Sequence, residues 1–87
     1  MYVIIVYDVN VKRVSKVCQF LRRYLFWVQN SVFEGEVSEA ELIEIEMGLR
    51  EIIDENEDSV TIYTLPNEKV ISRKFIGTKK SEPTNIL

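Results

Sequence analysis

Histidine is missing from this sequence altogether, and cysteine occurs once, at Cys18. The first absence excludes imidazole as a general base and as a metal ligand. The second excludes an internal disulfide framework and any multi-cysteine metal site. A lone cysteine suits a reducing compartment and reads as a small core residue. Metal chemistry in such a chain must use carboxylates, which select hard cations such as magnesium or manganese. Glycine is scarce too: with Gly35, Gly48 and Gly77 alone, there is no glycine-rich loop to hold a small-molecule ligand. No apolar run approaches the roughly 20 residues of a membrane helix. The opening run Met1–Tyr7 is too short for a signal segment and stops at Asp8. A soluble cytoplasmic protein with no membrane partner is expected.

What is present fits one small domain. The chain has 87 residues, 46% of them apolar, which is normal for a globular protein and too high for disorder. A domain of this size buries only roughly 60% of its unfolded surface, so pairing with a second copy would add stability. The net charge of −3 argues against a polyanion partner, but its distribution argues the other way. Eleven of the 14 acids lie between Glu34 and Asp58. Five of the 11 basic residues lie between Lys12 and Arg23, and five more between Lys69 and Lys80. Such segregation points mildly to a polyanion on one face.

Tyr2–Tyr7 is β-branched and aromatic, a near-continuous apolar run that reads as a central strand buried on both faces and ending at Asp8, with Asp8-Val9-Asn10 as the turn into a helix. Over Val11–Leu25, Val14, Val17, Cys18, Leu21, Tyr24 and Leu25 make one apolar stripe at helical spacing. At about 100° per residue, Lys12, Lys16 and Arg23 share the opposite face, flanked by Arg13 and Arg22. These five basic residues are either a solvated face or a phosphate-contacting stripe; the lack of any acid among them favours the stripe. Val28–Val37 is one kinked strand or two short ones. Ser38 and Glu41 form a capping box at the start of a helix reaching Asn56, whose buried stripe is Leu42, Ile45, Leu49, Ile52 and Ile53. Its many glutamates are a wet face. Strands follow over Val60–Leu65 and Val70–Ile76, and Gly77 ends the second. The expected class is α+β, in the ferredoxin-like βαββαβ order, with an additional C-terminal strand suited to crossing to a dimer partner. Residues 1–77 form the domain and 78–87 a tail, whose closing Ile86-Leu87 either means nothing or docks on another chain.

Three stretches then carry a resemblance. They are Val6-Tyr7-Asp8-Val9 with its basic helix, Val28-Gln29-Asn30-Ser31-Val32-Phe33-Glu34-Gly35, and Asp54-Glu55 with Asp58-Ser59-Val60-Thr61-Ile62-Tyr63-Thr64-Leu65 and Gly77. In this order and spacing, the chain resembles the CRISPR-associated protein two family. The resemblance implies a ferredoxin-like homodimer in which Asp8 and its symmetry mate bind a divalent metal, Mg2+ or Mn2+. It also implies a role in spacer acquisition beside the CRISPR integrase, CRISPR-associated protein one, holding duplex DNA. Some members are described as metal-dependent nucleases, acting on single-stranded RNA or on duplex DNA. Many carry a basic residue where this chain has Trp27, which can pack and stack but cannot pair with phosphate.

The candidate catalytic and metal-binding residue is therefore Asp8. Read from the residues alone, it is better taken as ending the strand and capping the first helix. Tyr7, Ser31 and Phe33 are supporting candidates. Strand-end aromatics are more often core, and Ser31 could reach phosphate or satisfy its own backbone. Lys12, Arg13, Lys16, Arg22 and Arg23 are the nucleic-acid candidates. An RNA-recognition domain would show an Arg/Lys-Gly-aromatic motif, which Phe33-Glu34-Gly35 is not.

Overall fold

A computed structural model describes residues 1–80. Four strands and two helices follow in the order β1 (Tyr2–Asp8), α1 (Val11–Leu21), β2 (Phe26–Gln29), β3 (Val32–Glu36), α2 (Glu39–Ile52) and β4 (Ser59–Leu65). The strands form one antiparallel sheet in the order β2-β3-β1-β4. This is the ferredoxin-like arrangement that the element order predicts. The segment 28–37 makes two strands. Asn30, at φ 39°, turns the chain between them, and the register shifts between Trp27 and Gln29. Asparagine is among the few residues that tolerate the left-handed region.

Both helices pack on one face of the sheet. Val3, Ile5 and Tyr7 of β1 and Phe33 of β3 meet Val17, Cys18 and Leu21 of α1 and Ile45 and Leu49 of α2. The helices cross closely at Gly48, where a Cβ would lie 2.1 Å from the end of the Phe20 ring. The capping box forms as expected: Glu41 N–H donates to Ser38 Oγ at 3.1 Å, and Ser38 N–H to Glu41 Oε1 at 2.9 Å. The expected α1 was too long. It stops at Leu21, and Arg22–Tyr24 turn the chain so that Leu25 still reaches the core. The expected α2 also overran, since Ile53 already has extended backbone at φ −84°, ψ 163°.

The additional strand over Val70–Ile76 does not form within the chain. Glu68–Val70 is a 3-10 turn, and residues 71–76 pair with no strand. Apolar composition makes a segment able to be a strand, but a ladder needs a partner strand in register, and this segment pairs with neither of the sheet's edges, β2 or β4. Arg73 instead anchors this segment to the sheet. Its guanidinium pairs with Glu34 in two places, one of them Nη1 to Oε2 at 3.0 Å. The Ile86-Leu87 end of the tail lies outside the described residues.

Candidate functional site

Strand alternation sends Val3, Ile5 and Tyr7 to the helices, so Ile4, Val6 and Asp8 face the other way. The same face carries Glu34 and Phe26, which lie in register beside Ile4, and Tyr63 on its other side. Asp8 ends β1 opposite Ser59 of β4 and is exposed. Its carboxylate makes no hydrogen bond or ion pair among the described residues. Nor does it cap α1. Asn10 is the cap, with Oδ1 accepting from Lys12 N–H at 3.1 Å. The capping explanation for Asp8 is thereby removed.

As an oxygen donor facing solvent, Asp8 has the right chemistry for a hard cation. Within one chain it stands alone, because no three acidic or cysteine side chains cluster tightly enough to hold a metal among the described residues.

Tyr7 and Phe33 belong to the core rather than the site. Their rings pack 6.1 Å apart on the helix side of the sheet. The Tyr7 hydroxyl shares a hydrogen bond of 3.1 Å with Cys18 Sγ, and burial followed by that bond pushes the phenol far above its usual range. Ser31 meets β1 through its backbone, its carbonyl accepting from Tyr7 N–H at 3.1 Å. Trp27 holds the same turn by donating its indole N–H to the Asn30 carbonyl at 2.9 Å.

The five basic candidates divide. Lys12 and Lys16 are exposed one helical turn apart, without an ion pair among the described residues. Arg22 and Arg23 are exposed just past the helix, each 5.8 Å from a ring centroid, Arg22 over Phe33 and Arg23 over Phe20. Arg13 has a different task. Its Nε lies 2.6 Å from Asp58 Oδ2 and its Nη2 3.1 Å from Oδ1, with Glu57 at 3.3 Å. Arg13 is thus engaged through Nε and Nη2 and is half-buried, whereas the other four are exposed. Asp58 was read only as part of the family resemblance, because nothing local in the sequence marks it.

The Arg13 guanidinium holds the Asp58 carboxyl well below the usual range, against burial and with help from the Asn10 and Asp54 amides. Burial pushes Glu34 up, but Arg73 and the Tyr2 hydroxyl, 2.9 Å away, more than offset it, so its net shift is also downward. Tyr2 is pushed up to about 12 by its own burial and by Glu34. Carboxylates depressed in the folded state stabilise it fully above their unfolded values, about pH 4, and lose that contribution as pH falls through the depressed values. Thermal melts followed by circular dichroism should therefore drop steeply from about pH 4 to pH 2. Asp58→Asn should lower the melting temperature at pH 7 and make the acid dependence shallower. An unchanged acid slope in that variant would contradict the assignment.

A family model described as CRISPR associated protein Cas2 matches residues 1–72. The chain belongs to that family. Cas2-family relatives agree along almost the whole length. A protein named CRISPR-associated endoribonuclease Cas2 2 from Archaeoglobus fulgidus is 58% identical over 79 residues, covering 91% of this chain and 86% of its own. CRISPR-associated endoribonuclease Cas2 of Pyrococcus furiosus is 53% identical over the full length of both chains. Among solved structures, a Cas2 crystal structure superposes with a TM-score of 0.85 at 54% identity, covering 94% of this chain and 92% of that one. Cas2 of Streptococcus pyogenes gives 0.80 at 37% identity, covering 88% and 100%. The Cas2 fold thus places Asp8 on the sheet face opposite the helices, at the end of the central strand.

Proposed function

We propose that two copies pair through the sheet face bearing Asp8, and that the pair is the duplex-binding subunit of CRISPR spacer acquisition, bridging dimers of the integrase. The observation that carries this reading is the set of large apolar side chains exposed on that face. Phe26 is 57% exposed, Tyr63 56% and Val6 37%, and Val6 stands two residues before Asp8, whose carboxylate has no partner among the described residues. Large aromatics standing in water on a sheet mark an interaction surface. A self-complementary face closes on itself by a two-fold axis. Light scattering at micromolar concentration should give twice the 10.2 kDa chain mass. A monomer mass would reject the pairing.

Duplex binding then falls to Lys12, Lys16, Arg22 and Arg23, with Lys74, Lys79 and Lys80 as a second basic group. Phosphate contacts release counterions, so affinity should fall with a log–log salt slope of about −0.9 per contact on B-DNA. Removing the charges of Lys12 and Lys16 should flatten that slope by roughly two units and leave sequence preference unchanged. An unaltered slope moves the surface to the C-terminal lysines. The bridging role is tested by sedimentation of the protein with integrase and duplex: a complex larger than integrase plus duplex alone is expected, and its absence rejects the role.

A second reading is favoured by the relatives' names and by the Asp8 carboxylate, which is exposed and has no partner among the described residues. In it the pair is a metal-dependent endonuclease of single-stranded RNA or duplex DNA. A bound Mg2+ or Mn2+ would polarise a phosphoryl oxygen and acidify a water. The two Asp8 carboxylates would hold it, and the basic residues of the chain would orient the phosphodiester.

A further inference from the structure

Asp58 closes the loop before β4, and its side chain is fully buried against Arg13. It accepts four hydrogen bonds. Asn10 N–H lies 2.8 Å from Oδ1 and Asp54 N–H 2.9 Å from Oδ2, and Arg13 supplies the other two. A carboxylate offers about four acceptor sites, so Asp58 is saturated and has none left for a metal or a phosphate. Its partners are informative. Asn10 comes two residues after Asp8, and Ser59, adjacent to Asp58, is the register partner of Asp8 across β1 and β4. The ladder holds the backbone of Asp8 from one side. Asp58 holds the chain leaving it from the other.

We propose that Asp58 is the positioning residue for Asp8, and that Arg13 serves as its counter-ion rather than as a phosphate contact. The proposal rests on the reading that Asp8 binds a divalent cation. A strand-terminal carboxylate followed by an untethered turn would point in many directions. A cation shared across a two-fold axis needs its donors held to within about 0.5 Å. Asp58 can act as a tether only while it stays charged in a buried position, and that requires Arg13 beside it. Asp58→Asn keeps the shape but puts an amide N–H2 against the donors of Arg13 or the backbone, so at least one hydrogen bond is lost.

The test measures Mn2+ binding by electron paramagnetic resonance and amide hydrogen exchange at Asn10. It compares the wild type with Asp58→Asn, Arg13→Lys, Asp8→Asn and, as a control for general destabilisation, Ile45→Val. Asp58→Asn should weaken Mn2+ binding about tenfold or more, as outer partners of metal ligands do. It should also speed exchange at Asn10, while Ile45→Val leaves both unchanged. Arg13→Lys keeps the charge but loses the fork, and should weaken binding several-fold. A folded Asp58→Asn with affinity within about twofold of wild type overturns the proposal. If Asp58→Asn does not fold, unchanged affinity in Arg13→Lys overturns it. If Asp8→Asn binds Mn2+ as the wild type does, the reading of Asp8 itself fails, and the positioning role falls with it.

Discussion

Asp8→Asn should abolish metal-dependent cleavage while the protein remains folded and dimeric. The expected loss is at least about 100-fold, because even partners one shell out from a metal commonly cost 10- to 100-fold. Elimination supports this size of effect. The chain has no histidine, and Cys18 is buried beneath the sheet in a hydrogen bond with the Tyr7 hydroxyl, so no imidazole base and no accessible thiol nucleophile is available. The fold should survive, because the Asp8 carboxylate makes no hydrogen bond among the described residues and does not cap α1. Chelation should stop wild-type cleavage, and added magnesium or manganese should restore it in the wild type but not in the variant. Cleavage persisting in Asp8→Asn, after contaminating nucleases are removed, would refute the metal assignment. Wild-type protein that cleaves nothing yet still bridges integrase dimers would leave the adaptor role standing without the nuclease.

The second large effect is on stability. Phe33→Ala should cost about 3–5 kcal/mol, the usual range for truncating a buried phenylalanine. Phe33 is fully buried, packs against Tyr7, and sits on β3 next to the central strand. At about 0.05–0.15 kcal/mol per residue, a domain of this length has roughly 4–13 kcal/mol in total, so one truncation removes much of it. Urea unfolding followed by circular dichroism should show the midpoint collapse. Phe26→Ala is the matched contrast. Phe26 lies on the opposite face of the sheet, 57% exposed, and its truncation should leave monomer stability within about 0.5 kcal/mol while weakening self-association. A Phe33→Ala protein as stable as the wild type would mean that the core is not where the structure puts it.

Glu34 shows how far pattern reading reaches. The alternation of β3 marks its position as facing away from the helices, where a carboxylate would normally be wet. It is 3% exposed, because Arg73 comes back over it from 39 residues away. No window of sequence contains both residues. Arg13 is the same case: its charge and its place beside the basic stripe are plain, but the carboxylate that engages it lies 45 residues later. Helix ends were missed for a different reason. Arg22, Arg23 and Leu25 are acceptable helix residues, with no glycine or proline to announce the stop.

By itself the sequence determined what is periodic or absent. The apolar stripes of both helices, the capping box at Ser38, the place of the first strand and the lack of imidazole chemistry all follow from residue type and spacing, which act over a few positions; burial of that strand on both faces was expected too, but Val6 and Asp8 are exposed. The family, too, was legible from short stretches in a set order. The tertiary structure decided which charges are spent and which are available. It bound Arg13 to Asp58 and Arg73 to Glu34, gave the helix cap to Asn10, and left the Asp8 carboxylate without a partner among the described residues. It also left Val70–Ile76 without a ladder, though their composition suits a strand. The physical reason is common to all of these. Propensity and periodicity are local properties of a chain, whereas an ion pair or a strand ladder needs two segments brought together, and only the packed sheet brings them there.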